Sequence, residues 1–247
     1  MNLKSAAATE RRTRVVAIAG AKGSPGCTFI AVGLARCLAD SGIDTLLVDA
    51  DAEDVGVAPA LGLPGQAAPD LGRAAALGLD ADALREATQE VAPRLRALHV
   101  SGEKHADGRE MVGAARRDHA LVVIDLGHAW GRLQRQLAAA ADWVLWVVVA
   151  DRQGLERADR GLAALLPGGG RGLVVNRAAR WSLAGGDRVL VERHRIPLVA
   201  RVPDNRRSAR RVTEQSVPAH RERAFRRALQ QIARTVHPDV QGGGTWP

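Results

Sequence analysis

A glycine-rich segment close to the amino terminus has the residue types and the spacing needed to bind phosphate. An apolar run over residues 15–19 leads into Gly20, Gly23 and Gly26. Such glycines let consecutive backbone N–H groups curve around an anion, and the first turn of the next helix adds the positive end of its dipole. A tight strand-to-helix turn that binds nothing has the same composition, so other residues must decide between these interpretations.

The segment keeps part of the usual phosphate-loop pattern, which is Gly, four residues, Gly, Lys and then Ser or Thr. Gly26 and Thr28 match it, but Ala21 stands at the position of the first Gly and Cys27 at that of the Lys. Lys22 supplies a positive charge earlier in the loop. The start of a helix favours a thiolate, which predicts some reactivity at Cys27, although no histidine is placed by sequence to act as its base.

Three aspartates follow apolar runs that predict buried strands. Asp49 and Asp51 come after the run over residues 46–48, one predicted helix after the loop, and Asp125 ends the run over residues 121–124. An acid in the position of Asp125 is suited to holding a water molecule bound to Mg²⁺. An aspartate at the end of a strand can also cap the next helix, so Asp49 alone fits either role.

Two further polar pairs end later apolar runs. Asn176 and Arg177 follow residues 173–175, and Pro203 and Asp204 follow residues 198–202. Taken alone, Asn176 also suits a turn. In open parallel sheets, however, ligands bind outside the carboxyl ends of the strands. The order of the loop, the acids and these pairs therefore predicts a single ligand site at that edge.

The elements that must position these residues alternate between strand-like runs and helical patterns along the 247 residues. This alternation predicts an α/β fold with a mostly parallel, doubly wound sheet flanked by helices. The most apolar run, over residues 143–149, is too short to span a bilayer. We expect one domain over residues 14–237, between a disordered basic tail at 1–13 and a flexible tail at 238–247.

These motifs resemble those of the MinD/ParA superfamily of P-loop ATPases. The loop is similar to the deviant Walker A motif of that superfamily, and its Ser-Pro-Gly variant resembles the CpaE/TadZ-like branch from actinobacteria. The resemblance implies that the phosphate-binding residues are Lys22, Gly23, Ser24, Pro25, Gly26, Cys27 and Thr28. It extends over nearly the whole chain, from about Arg14 to Ala233.

The resemblance also implies roles for the charged residues. The signature lysine, Lys22, would reach the phosphates held by a partner subunit, and Asp51 would orient the attacking water. Thr28, Asp49 and Asp125 would hold Mg²⁺, mostly through water.

For the nucleoside, the resemblance implies that Asn176 and Arg177 bind the adenine. Pro203 and Asp204 would pack on the other face of the base.

The family comparison predicts a protein that binds ATP and Mg²⁺ and dimerises with ATP. It would localise a secretion, Flp-type pilus or septum apparatus together with a protein of that machinery. Because Cys27 removes a charge-assisted contact worth roughly 1.5 to 3 kcal/mol, we expect weakened ATP binding. Hydrolysis should be slow or absent, so the chain is a weak ATPase or a pseudo-ATPase.

The whole chain has a net charge of +8, and arginine is concentrated in its last part. A surface of this kind would attract nonspecific DNA or an anionic membrane, although a general preference for arginine would give the same composition. One alternative is therefore a ParA-type DNA partition ATPase. The other, which follows from the incomplete phosphate loop, is a nucleotide-free pseudo-ATPase scaffold. The arginines concerned are Arg206, Arg207, Arg210, Arg211, Arg221, Arg223, Arg226, Arg227 and Arg234.

The last predicted helix runs from roughly His220 to Val236 and is amphipathic. It places Phe225, Leu229 and Ile232 at helical spacing, which favours a core helix over one that lies on a membrane. The first residues lack the apolar core of a signal peptide. We therefore expect a cytoplasmic protein, with peripheral association at the inner face of the cell membrane as the alternative.

Overall fold

An eight-stranded sheet with helices on both faces forms the centre of the molecule, as the α/β prediction required. The computed structural model describes residues 13–20, 26–51, 56–63, 80–100, 107–128, 130–149, 151–164, 169–178, 185–214 and 218–238. The strands are β1 (Arg14–Gly20), β2 (Thr45–Asp49), β3 (Gln89–Ala92), β4 (Leu95–His99), β5 (Leu121–Asp125), β6 (Trp143–Val149), β7 (Gly170–Ala178) and β8 (Leu198–Pro203).

The helices occupy most of the connections between these strands. They are α1 (Cys27–Asp40), α2 (Val57–Leu61), α3 (Ala81–Glu86), α4 (Gly108–Asp118), α5 (Arg132–Ala140), α6 (Arg152–Ala164), α7 (Gly186–His194), α8 (Arg206–Glu214) and α9 (Arg223–Val236), with a 3₁₀ turn at Ala219–Arg221. No helix in the part of the chain that the structure describes is long and apolar enough to cross a membrane.

The strand order β3-β4-β2-β5-β1-β6-β7-β8 places β1 and β5 near the middle of the sheet. Every neighbouring pair is parallel except β3 and β4, which form an antiparallel hairpin at one edge. The parallel strands therefore all end at the same edge of the sheet. Because ligands of such sheets bind at this carboxyl edge, it is where the predicted site residues must meet.

Successive residues of each strand face opposite sides of the sheet, which gives the molecule two cores. On one side, Val16 and Ile18 of β1 pack with α1 and α9. On the other side, Val15 and Ala17 pack with α4, α5 and α6. Burial on both faces explains why the central strands read as continuous apolar runs in the sequence.

The closing helix lies in the core, as its apolar stripe predicted. Phe225 and Leu229 are buried, and the Phe225 ring meets that of Phe29 on α1 edge-on, with 4.9 Å between the ring centroids. The predicted start was too early, because His220 belongs to the 3₁₀ turn and α9 begins at Arg223. Residues 1–12 and 239–247 lie outside the described residues, so the two tails and the domain limits remain predictions.

Candidate functional site

The sheet register brings two of the predicted carboxylates together. Asp49, at the end of β2, pairs in register with Asp125, at the end of β5, and Asp49 is also in register with His99 on β4. Beyond the strand, the N–H of Ala50 donates to the backbone oxygen of Asp125 at 2.8 Å. Backbone pairing alone therefore sets the spacing between Asp49 and Asp125.

The phosphate-loop candidate is described only from Gly26 onward. Lys22, Gly23, Ser24 and Pro25 lie outside the described residues, so their predicted contacts remain predictions. Gly26 has a left-handed backbone, with φ of +94°, and α1 begins at the next residue. A side chain at Gly26 would overlap the Asn176 amide, which lies directly against it. Glycine is therefore required here both by the backbone angle and by the close approach of Asn176.

Asp125 is completely buried at the centre of the site. The pKa of Asp125 is raised to about 7, chiefly by burial; the Thr28 hydroxyl and the Gly127 amide lower it, and the carboxylates of Asp49 and Asp51 raise it. Its Oδ1 accepts a hydrogen bond from the Gly127 N–H at 3.1 Å. A carboxylate held this way in a dry, acidic environment is destabilised unless a proton or a cation joins it.

Asp49 accepts hydrogen bonds from backbone N–H groups just after β2 and at the start of α2. Its Oδ1 accepts from the Asp51 N–H at 3.4 Å, and its Oδ2 accepts from the Val57 N–H at 3.3 Å. The His99 Nδ1 atom lies 3.6 Å from the same Oδ2. Asp49 therefore accepts from the first N–H of α2, although Gly56 is the N-cap residue of that helix, and it also lies near the other carboxylates. Its role toward magnesium remains a prediction.

Cys27 and Asp51 meet at Gly127, in the turn after β5. The Cys27 thiol donates to the Gly127 backbone oxygen at 3.7 Å, and the Asp51 carboxylate lies against the Gly127 Cα. Burial raises the pKa of Cys27 well above its usual value, and the carboxylates of Asp125 and Asp51 add to this effect. Burial and two nearby acids therefore outweigh the helix amino terminus, which alone would favour a thiolate at Cys27.

The predicted nucleoside pairs also converge. Ala178 pairs in register with Pro203, and the Asp204 N–H donates to the Ala178 backbone oxygen at 3.2 Å. Asn176 is buried and accepts from the Arg177 N–H at 2.9 Å, while Arg177 itself is exposed. The four residues thus lie at the ends of adjacent strands, beside the start of α1.

Two residues that border the site were not predicted from the sequence. His99 faces Asp49 from β4, and Gln134 on α5, with 1% of its surface exposed, donates from Nε2 to the Ala50 backbone oxygen at 2.8 Å. Gln134 could have been noticed as a glutamine inside the apolar stripe of its helix. His99 has no such signal, because Arg96 interrupts the apolar residues before it and Val100 follows it.

The sequence matches the family model described as "CobQ/CobB/MinD/ParA nucleotide binding domain" over residues 16–219. The chain belongs to this family. That match includes the loop, the three aspartates and the pairs at the ends of β7 and β8. It confirms the broader part of the resemblance, a nucleotide-binding domain of the MinD/ParA type. No curated protein has a matching sequence.

Solved structures of MinD and ParA proteins have the same fold as this MinD/ParA-type domain. The MinD of the MinC:MinD cell division complex of Aquifex aeolicus is 18% identical, with a TM-score of 0.76, and the match covers 94% of this chain and 97% of that one. A ParA family ATPase from Chlorobium tepidum is 18% identical, with a TM-score of 0.71 and coverage of 94% and 100%. The septum site-determining protein MinD complexed with Mg-ADP, from Pyrococcus horikoshii, is 20% identical, with a TM-score of 0.70 and coverage of 93% and 98%.

Proposed function

We propose that this protein is an ATP-binding, dimerising switch of the CpaE/TadZ-like branch of the MinD/ParA superfamily. It localises a secretion, Flp-type pilus or septum apparatus and hydrolyses ATP slowly or not at all. The proposal rests above all on one observation: the start of α1, three aspartates and the Asn176 amide meet at the carboxyl edge of the sheet.

The acids suit a bound magnesium ion. Asp125 is buried next to two other carboxylates, and its Oδ2 accepts no hydrogen bond of ordinary geometry from a described residue, although the Thr28 hydroxyl is beside it. A divalent cation would satisfy that oxygen and would stabilise the ionised form of Asp125. Among the described residues, no three His, Cys, Asp or Glu side chains could hold a metal ion by themselves. We therefore expect Thr28, Asp49 and Asp125 to act mostly through water, while phosphate oxygens supply further ligands.

The nucleotide would lie between α1 and the ends of β7 and β8. The amino terminus of α1 presents its free N–H groups to the phosphates. Asn176 and Arg177 would meet one side of the adenine, and Pro203 and Asp204 the other. Support for this arrangement comes from the contact between Asn176 and Gly26 and from the pairing of β7 with β8. The Mg-ADP that the Pyrococcus MinD holds is the kind of ligand we propose here.

The proposed switch depends on Lys22 and on Cys27, which stands in place of the usual loop lysine. Lys22 is the cation that we propose reaches the phosphates held by a second copy of the chain, so that nucleotide binding favours dimerisation. Cys27 carries no charge and cannot replace the lysine, which weakens ATP binding within one subunit by about ten- to a hundredfold. Asp51 would orient the attacking water. Because the Aquifex MinD forms a complex with MinC, we propose that a protein of the positioned machinery binds this switch too.

The proposed function is tested by calorimetric titration of Mg-ATP into the full chain, with the oligomeric state followed by light scattering. We expect binding and an ATP-dependent dimer. Lys22→Ala should lose the dimer, whereas Lys104→Ala, which removes a lysine outside the motif, should keep it. No binding at millimolar ATP would instead establish the pseudo-ATPase scaffold.

A second candidate function, nonspecific DNA binding, is favoured by the surface of α8. Arg206, Arg207 and Arg210 are exposed on this helix. Arg211 pairs with the buried Glu222 at 3.2 Å, which anchors α8 to the start of α9. The exposed arginines therefore lie on a helix that is held in place by another residue, and they are accessible to DNA phosphates.

Duplex DNA binding in the presence of ATP, measured at several salt concentrations, tests this second candidate. If it is correct, affinity falls steeply with salt, and Arg206→Glu with Arg207→Glu reduces the slope by about two. Arg188→Glu, an exposed arginine of α7, is the matched control. Absence of binding at low salt would exclude DNA as the partner.

A further inference from the structure

We propose that Gln89 and His99, on the β3–β4 hairpin at the edge of the sheet, are positioning residues for Asp49 and hold its carboxylate through one bound water molecule. This inference rests on the proposed magnesium site and adds which residues keep one of its acids in place. Neither residue touches the nucleotide or the metal ion in this arrangement.

Polar side chains of three neighbouring strands lie on one face of the sheet. Asp49 at the end of β2 pairs in register with His99 on β4, and Gln89 on β3 pairs with Ala97, two residues before His99. Residues that pair in register share a face of the sheet, and so do residues two apart on one strand. Asp49, His99 and Gln89 therefore follow one another across the sheet, from the candidate magnesium site toward its edge.

These three side chains line the same small cleft beside α2. The rest of its lining is apolar and includes Val57 and Ala58 of α2. Its volume is about 10 Å³, which is roughly the space that one water molecule needs. A buried water molecule also needs several polar partners, and the three side chains supply them.

The polar atoms in the cleft are placed for a bridging water. The Gln89 Oε1 atom is buried and accepts no hydrogen bond from any residue that the structure describes. The His99 Nδ1 atom lies 3.6 Å from Asp49 Oδ2, which is too long for a direct hydrogen bond. A buried acceptor without a partner is costly, and polar atoms this far apart can be joined by water. One water molecule that donates to Gln89 Oε1 and Asp49 Oδ2, with His99 as its third partner, answers both observations.

The bridge matters because the backbone holds Asp49 only by long hydrogen bonds. Its two oxygens accept from the N–H groups of Asp51 and Val57 at 3.4 and 3.3 Å, whereas such bonds are usually about 2.9 Å long. A further contact from the hairpin limits the rotation of the Asp49 carboxylate next to Asp125. The hairpin thereby affects how well the acids hold a water molecule bound to Mg²⁺, although neither of its two residues is a metal ligand.

The test measures how far Mg²⁺ strengthens ADP binding, by calorimetric titration of the full chain with ADP in Mg²⁺ and in EDTA. Gln89→Met and His99→Leu remove the polar partners of the water and keep an apolar side chain in the cleft. Each should reduce the gain in affinity from Mg²⁺ by about three- to tenfold and leave the affinity in EDTA unchanged. His99→Asn, which keeps a polar atom near the position of Nδ1, should restore most of the gain.

A double variant distinguishes one shared water from two independent supports. If both residues act through the same water molecule, Gln89→Met combined with His99→Leu loses no more than the larger single loss. Losses that multiply would contradict a shared water. Glu90→Gln is the matched control, because Glu90 is exposed and its side chain faces the opposite side of β3, so this variant should change neither affinity.

A crystal structure of the wild type should show one water molecule within hydrogen-bond distance of Gln89 Oε1 and Asp49 Oδ2. Three results overturn the inference while the magnesium site stands: a gain from Mg²⁺ that the variants leave unchanged, an equal loss of affinity in Mg²⁺ and in EDTA, or a cleft without water in that crystal structure. If Mg²⁺ does not strengthen ADP binding to the wild type, the proposed magnesium site fails as well, so the two failures are distinguishable. Should His99→Leu fail to fold, Gln89→Met and the crystal structure decide the question.

Discussion

The carboxylate of Asp51 lies directly against the Cα of Gly127, in the turn after β5. The same glycine accepts the Cys27 thiol at its carbonyl and donates its N–H to Asp125. Gly127 also has a left-handed backbone, with φ of +59°. One residue thus joins the start of α1 to the ends of β2 and β5, and this contact leaves no room for a side chain.

Gly127→Ala should therefore impair both stability and nucleotide binding. The methyl group would overlap the Asp51 carboxylate and would also occupy a strained left-handed backbone. We expect a loss of at least about 2 kcal/mol in the free energy of unfolding, with weaker Mg-ATP binding because Asp51 must move. Denaturant unfolding and calorimetric titration measure the two effects.

Gly42→Ala is the matched control for that prediction. Gly42 also has a left-handed backbone, with φ of +88°, but an added Cβ would meet no other atom within 4 Å. It should lose only the backbone contribution, about 1 kcal/mol, and should bind nucleotide normally. Equal losses of stability for the two variants would show that the Asp51 contact has no energetic importance.

The burial of Asp125 predicts a pH dependence whose sign follows from its pKa. The folded-state pKa of about 7 lies above the ordinary value of 3.8, so the folded protein retains a proton that the unfolded chain has lost. The associated stability is fully present below about pH 4 and is lost as the pH rises through 7. Asparagine does not ionise, so Asp125→Asn abolishes this pH-dependent loss of stability. At pH 8 the nucleotide-free variant should therefore be more stable than the wild type by at least about 1 kcal/mol.

Thermal unfolding of the nucleotide-free proteins at pH 5 and pH 8 measures this difference. The gain should shrink at pH 5, where Asp125 is already protonated in the wild type. Asp125→Asn should also lose the magnesium-dependent part of ATP binding, as expected when a functional residue is destabilising. Asp82→Asn, an exposed aspartate of α3, is the control. A variant that is less stable than the wild type at both pH values would contradict the prediction.

Site residues could be predicted from the sequence when their neighbours along the chain marked them, and not when only tertiary contacts did. The apolar runs before Asp49, Asp125 and Asn176 each ended in a polar residue, and a parallel sheet necessarily brings such ends to one edge. The contacts of His99 and Gln134 were missed because their partners, Asp49 and Ala50, are distant in the sequence, so the sheet register and the packing of α5 are needed to identify them. The sequence placed each residue along the chain, but it did not contain these tertiary contacts.

The pKa of Cys27 depends on contacts that the sequence does not show. Its position at the start of a helix was predicted correctly, and a helix dipole alone would lower the pKa of the thiol. The pKa is raised because the side chain is buried and faces Asp125 and Asp51. Burial of one side chain and the direction in which it points are set by the packing of several elements, which a local pattern does not describe.

Gln134→Met tests whether the buried amide positions the acids. Gln134 holds the backbone oxygen of Ala50, the residue between Asp49 and Asp51, and methionine keeps its length without a donor. Leaving that carbonyl unpaired should lower the free energy of unfolding by about 1–3 kcal/mol. We also expect weaker Mg-ATP binding, with little change in binding measured in EDTA, because the acids act through the metal ion.

The control for Gln134 lies two residues along the same helix. Gln136 accepts from the Gly108 N–H at 3.3 Å, at the start of α4 and away from the acids. Gln136→Met should therefore reduce stability modestly and leave the magnesium dependence of nucleotide binding intact. If both variants alter that dependence equally, Gln134 supports the fold and does not position the acids.

Leu229→Ala tests the placement of α9 in the core. Leu229 is fully buried, and its side chain fills the space above Gly33 on α1, where an added Cβ would come within 2.9 Å of it. Shortening it leaves a cavity between the two helices, so the free energy of unfolding should fall by about 2–5 kcal/mol. Arg227→Ala, an exposed change on the same helix, should alter the free energy of unfolding by less than about 0.5 kcal/mol.

If Leu229→Ala has no effect on stability but reduces binding to anionic vesicles, the helix lies on a membrane surface. If stability falls as expected, removing the chain after Pro218 would unfold the domain, and vesicle binding must be tested with exposed arginines such as Arg223 and Arg227 replaced in the intact protein.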